Sequence, residues 1–184
     1  DGRYLTLRDV RSDPKPFGGS RPLIMNAGAS PTGQAFAVRN CDALFSVINS
    51  ADTVDEMAAG ISHARNLAAE QGRKIDVYSV GVITCRPTKA EAEEYHRHCI
   101  IEDADWGAVD NILAMRNVRP DTVGAAEFAR RRRLQANGMG GVPIVGDPET
   151  VATEISRFAS AGLRGIGVSF VNYLQELPYF CDEV

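Results

Sequence analysis

Short apolar runs that each give way to a helical pattern constrain this chain more than any other feature. LIMNA over 23–27, DALFSVIN over 42–49, DVYSVGVITC over Asp76–Cys85 and GIGVSFVNY over 165–173 carry little strict alternation. Strands wet on one face alternate, whereas strands buried on both faces read as nearly continuous apolar runs. Helical signals follow. Ser30 suits an N-cap and Pro31 a first helical position, opening a helix through Phe36 and Val38. Residues 53–71 place Val54, Met57, Ala58, Ile61, Ala64, Leu67 and Ala68 on one face, and Gly72 suits the C-cap. Thr88 and Glu91 have capping-box spacing, and Asp147-Pro148-Glu149 opens a further helix that Gly162 ends. Strand and helix in alternation call for parallel βαβ units with right-handed crossovers. Four such units make either an open sheet or half of an eight-stranded barrel, and periodicity does not choose between them.

Two regions fit the alternation less well. RYLTLRDV over 3–10 alternates and is expected to form a short strand or hairpin arm, and DPKPFGGSRP after it reads as loop. From about 102 to 141 the pattern loosens. There 105–115 and 125–134 read as helices and NGMGG over 137–141 as a flexible break.

Bulk properties exclude some functions. The 184 residues carry a net charge of -4, against the basic surface that nucleic acid requires. No apolar run approaches the roughly 20 residues of a membrane span, and no signal peptide opens the chain. Cys41, Cys85, Cys99 and Cys181 lie far apart without a CxxC pair, as expected of reduced thiols in a cytoplasmic protein. His96 and His98 diverge around a helix and lack a third ligand, so no metal site is expected; they and His63 read as surface residues. Both ends look like mid-domain sequence, which suggests a piece of a longer protein.

The turn Asn26-Ala27-Gly28-Ala29-Ser30 is stripped of bulk between a strand and a helix. Unpaired N–H groups and the helix dipole favour an anion there, and small residues let a ligand reach the backbone. The plainer reading is that Gly28 permits a turn and Ser30 only caps a helix.

The stretch from Asp1 to Phe45, with its NAGASPTG turn, resembles the bacterial luciferase-like, flavin-dependent monooxygenases. So does GGVPIVGDPETVATEISRFASAGLRGIGVSFVNYLQELPYFCDEV, which is similar to their terminal stretch, where the last long helix precedes the final barrel strand. The resemblance spans nearly the whole chain and points to the branch of pyrimidine, nitrilotriacetate and sulfone monooxygenases. It implies a (β/α)8 TIM-type barrel of which residues 1–184 are the C-terminal portion, four βα units with a variable insertion at about 102–141. The four strands would be LIMNA, ALFSV, VYSVGVITC and GIGVSF. Reduced FMN, supplied by a separate flavin reductase, and O2 would serve to oxygenate a small organic substrate in a homo-oligomer.

By the same resemblance Ser30 would hold the FMN phosphate, with Ala29, Gly28 and Asn26 beside it and Gly33 keeping the turn close. NGMGG would hinge a mobile lid. One arginine of Arg130–Arg133 could clamp an anion, although four consecutive helical residues cannot face one site. Asn172, Tyr173 and Ser169 lie where barrel sites lie, and Trp106 is expected to pack. No acid, base or nucleophile is assigned. Two other readings stand: a deazaflavin-dependent oxidoreductase of the same barrel class, and a non-catalytic half-barrel that binds or oligomerises.

Overall fold

The computed structural model describes residues 2–11, 13–28, 30–46, 53–138 and 141–184. Their elements run β1 (Met25–Asn26), α1 (Pro31–Asn40), β2 (Ala43–Phe45), α2 (Val54–Ala69), β3 (Asp76–Cys85) and α3 (Lys89–Arg97). Then come α4 (Trp106–Met115), α5 (Pro120–Val123), α6 (Ala125–Ala136), β4 (Val142–Gly146), α7 (Pro148–Ser160), β5 (Gly165–Ser169) and α8 (Tyr173–Glu183). A π-turn, His98–Glu102, prolongs α3.

Every described strand pairing is parallel. β3 is the trunk, ten residues long and rich in the β-branched side chains that suit a pleated surface. Tyr78 pairs with both Phe45 of β2 and Gly165 of β5, so those strands flank β3 on opposite sides. Gly81 pairs with both Val142 of β4 and Val168 of β5, so β4 takes the β2 side, farther along β3. β1 extends the sheet beyond β2.

Helices seal one face of this sheet. Leu44, Val77, Ile83, Val142 and Ile144 form a single core with Ala37 and Val38 of α1, Met57, Ile61 and Ala64 of α2, and Val151 and Phe158 of α7. The alternate positions Phe45, Tyr78 and Val80 remain half-buried, and Met25 is open. A parallel sheet with helices on one face only has the layer order of a barrel wall rather than of a doubly wound sheet.

The helix ends obey local chemistry. The Gly33 amide donates to Ser30 Oγ at 3.1 Å. Thr53 with Glu56, and Thr88 with Glu91, form reciprocal capping boxes, and Asp147 caps α7 by accepting from the Thr150 amide. Gly72 closes the end of α2 with φ of 66°.

Three expectations need correction. Residues 3–10 form no strand: their backbone has no partner strand among the described residues, and Tyr4, Leu5, Leu7 and Val10 are exposed. VPIVG is a fifth strand; Pro143 disguises it, but a strand that among the described residues pairs on one side only tolerates a missing N–H. The final strand stops at Ser169, and YLQELPYFCDE is helix α8 with Pro178 inside. That proline leaves the Leu174 carbonyl without its usual donor, and Leu174 is exposed to water. Residues 47–49 of the second expected strand lie outside the described residues.

Candidate functional site

The turn between β1 and α1 sits at the C-terminal end of its strand. Asn26 Oδ1 accepts from the Gly28 amide at 2.8 Å, an Asx turn that bends the chain out of β1. Asn26 is therefore a turn former. Gly28 and Gly33 meet backbone to backbone: a Cβ on Gly28 would lie 2.7 Å from Gly33 Cα, and one on Gly33 would lie 2.8 Å from Gly28 Cα. Both glycines are required by this contact before any ligand is considered. Ala29 lies outside the described residues.

Ser30 is exposed, and its Oγ accepts from Gly33, which leaves the hydroxyl proton free to donate outward. Pro31 has no N–H, and the Gln34 amide donates to Ser30 O at 2.8 Å. The remaining donor of this first turn is the Thr32 amide, which helix geometry leaves without an intrahelical acceptor. Residue-type reasoning passed over Thr32 because a backbone donor has no signature in the side chain.

The electrostatics of α1 differ from those of the other described helices. Each of the other α-helices, α2 to α8, has an acidic residue in its first turn or at its cap, whereas α1 has neither. No acidic residue of its own cap or first turn offsets the partial positive charge of its N-terminus.

The other expected residues separate. Asn137 is buried and its Nδ2 donates to Gly141 O at 2.9 Å, closing the 137–141 turn on itself. A Cβ on Gly138 or Gly141 would lie 3.0 Å from Val82 Cγ2, so these glycines let the turn cross β3 closely. Met139 and Gly140 lie outside the described residues.

Arg130 and Arg131 both pair with Glu127, whose carboxyl these two guanidiniums hold down at about 2. Arg132 pairs with Asp110 of α4 at 2.6 Å and stacks over Trp106, 4.4 Å from the ring centroid. Three of the four arginines are thus engaged within the α4–α6 segment, and Trp106 packs as expected.

His63 and His98 are exposed, but His96 is half-buried, its Nδ1 has no hydrogen-bond partner, and burial lowers its pKa. It lies on the inner side with Ala92 of α3 and Ile100 of the π-turn, a placement that the two-residue spacing to His98 obscured. Among the described residues, no three His, Cys, Asp or Glu side chains are placed to hold a metal ion.

A profile of the family described as luciferase-like monooxygenase matches residues 1–165. The chain belongs to that family. Sulfoquinovose monooxygenase of Agrobacterium fabrum is 26% identical over all of this chain and 51% of its own length. The FMNH(2)-dependent dimethylsulfone monooxygenase of Pseudomonas fluorescens is 26% identical over the whole chain and 50% of its own. Among solved structures, DmoA from Hyphomicrobium sulfonivorans superimposes with a TM-score of 0.72 at 19% identity, covering 89% of this chain and 40% of that one. The chain thus spans about half the length of the relatives it matches, and its fold is that of half a luciferase-like TIM-type barrel.

In a luciferase-like barrel the strand C-termini form the functional end. The β1–α1 turn lies there, as do Ser169 at the end of β5 and Asn172 and Tyr173 after it. Ser169 and Tyr173 are exposed, and the Asn172 side chain makes no cap hydrogen bond. At the exit of β3, Arg86 donates to Glu176 of α8 at 2.6 Å. This pair was not legible in the sequence, because its members lie 90 residues apart.

Proposed function

We propose that this chain is the C-terminal portion, 1–184, of a single luciferase-like barrel domain, with a variable insertion at about 102–141. The whole protein would be a cytoplasmic, homo-oligomeric FMN-dependent monooxygenase. Reduced FMN reaches it from a separate reductase, and with O2 that cofactor supplies the oxygenating chemistry toward a small organic substrate.

The observation that carries this reading is the β1–α1 turn. It offers the Ser30 hydroxyl and the Thr32 amide at a helix N-terminus free of acidic residues, on the functional end of the barrel. Such a donor set fits a phosphate dianion. Asn26, Gly28 and Gly33 shape the turn, with Ala29 between them. The names of the relatives, two of them monooxygenases of sulfur compounds, support the reaction class. The protein's part is to anchor the phosphate and keep the lumen dry.

The test is titration with FMN and reduced FMN of the full-length polypeptide and of its Ser30→Ala variant. One charge-assisted hydrogen bond is worth about 1.5–3 kcal/mol, so affinity should fall about ten- to a hundredfold. Riboflavin, which lacks the phosphate, should bind both forms equally. Equal FMN affinity in the two forms would remove the phosphate site. Failure of the parent to bind FMN, with binding of a deazaflavin cofactor instead, would move the protein to hydride transfer.

A further inference from the structure

We propose that Glu176 is a positioning residue that aims the turn after β5 at the functional end of the barrel; this rests on the flavin reading above. Its carboxylate is 5% exposed and carries two bonds in different directions. Oε1 accepts from Arg86 Nη2 at 2.6 Å, and Oε2 accepts from the Asn172 amide at 2.6 Å. Arg86 is the first residue beyond β3, and Asn172 caps α8 just beyond β5. β3 and β5 are neighbouring strands, so one carboxylate joins the exits of both.

Arg86 is itself held from other sides. Its Nη1 donates to Cys85 O at 2.8 Å, and its guanidinium lies 3.8 Å from the Tyr95 ring centroid on α3. Glu176 thus ties the turn to a fixed point. What it holds is a short segment rich in uncommitted groups: Val171, Tyr173 and Leu174 are exposed at 47%, 63% and 73%, and the Asn172 side chain makes no cap bond.

Docking α8 does not require this charge. Phe170, Tyr179 and Phe180 already pack on the core, and Phe170 meets Phe180 with ring centroids 5.6 Å apart. A buried ion pair gives little net stability over apolar side chains of similar volume. What a carboxylate supplies and a leucine does not is two directional acceptors, one for each strand exit.

The experiment compares the full-length polypeptide with its Glu176→Ala and Glu176→Gln variants by amide hydrogen exchange and by FMN titration, including the visible circular dichroism of the bound flavin. Glu176→Ala should speed exchange across 170–176 at least tenfold while β3 stays protected. It should also weaken FMN about tenfold and change the dichroism of the bound flavin. Glu176→Gln keeps one acceptor and should fall between parent and alanine on each readout. Unchanged exchange in the alanine variant overturns the bridge. Faster exchange with the parent's FMN affinity and dichroism leaves Glu176 a structural residue and overturns the positioning role. A parent that binds no FMN removes the flavin reading and this role with it, an outcome distinct from both.

Discussion

The same substitution, glycine to alanine within a helix, should have opposite signs at two positions of this chain. Gly33 lies in the first turn of α1 and Gly60 in the second turn of α2. Helix propensity alone favours alanine at both by about 1 kcal/mol. At Gly60 the new methyl meets nothing within 4 Å, so the gain should be realised. At Gly33 the methyl would lie 2.8 Å from Gly28 Cα, 3.2 Å from Gly28 C and 3.2 Å from Ser30 Oγ. Two of those atoms are backbone and cannot swing away, so the turn must open. Overpacking of this kind costs about 1–3 kcal/mol, and the upper part of that range applies where backbone must move. Setting about 2–3 kcal/mol of clash against about 1 kcal/mol of propensity leaves Gly33→Ala destabilising by about 1–2 kcal/mol. At about 2–4 °C per kcal/mol for a chain of this size, Gly60→Ala should raise the Tm by about 2–4 °C, and Gly33→Ala should lower it by about 2–8 °C. Matched thermal melts with urea midpoints as a cross-check would decide. A Gly33→Ala protein as stabilised as Gly60→Ala would refute the backbone contact and the account of the turn built on it.

Other outcomes follow from the same geometry. Ser30→Ala should destabilise α1 by about 0.5–2 kcal/mol through the lost cap, measurable by urea denaturation without ligand, in addition to its effect on FMN. Phe158 is 2% exposed within the core, and Phe158→Ala should cost about 3–5 kcal/mol in the same assay. Glu127 is held at about 2 by Arg130 and Arg131, below its ordinary 4.5, so its contribution is full above pH 4.5 and is lost as pH falls through about 2. The stability difference between the parent and Glu127→Gln should therefore shrink over that acidic window, and because the pair is exposed, high salt should shrink it too.

Much of the fold was legible because its signals are local. Thr53 with Glu56, Thr88 with Glu91, and Ser30 with Pro31 mark helix starts through bonds spanning three residues or fewer, and all of them form. The apolar run Asp76–Cys85 is β3 over its whole length, because β-branched side chains suit a trunk strand and small Ser79 is the one polar side chain buried on its helix side among Val77 and Ile83. The misreadings came where a local signal was outweighed. VPIVG is assigned no strand on sequence, yet Pro143 sits in a strand paired on one side among the described residues, and the last strand is drawn through Tyr173, where α8 begins instead. RYLTLRDV has a strand's alternation but no partner, and pairing is not a property of the segment itself.

The sequence by itself determined the parallel βα order, the helix caps and the small-residue turn at Ser30, because spacing along the chain sets each of them. Only the tertiary structure decided that helices cover one face of the sheet, that Gly28 and Gly33 touch, and that Glu176 reaches Arg86 across 90 residues. Those contacts join segments that no periodicity links, and they exist because the strand register on β3 brings the segments together.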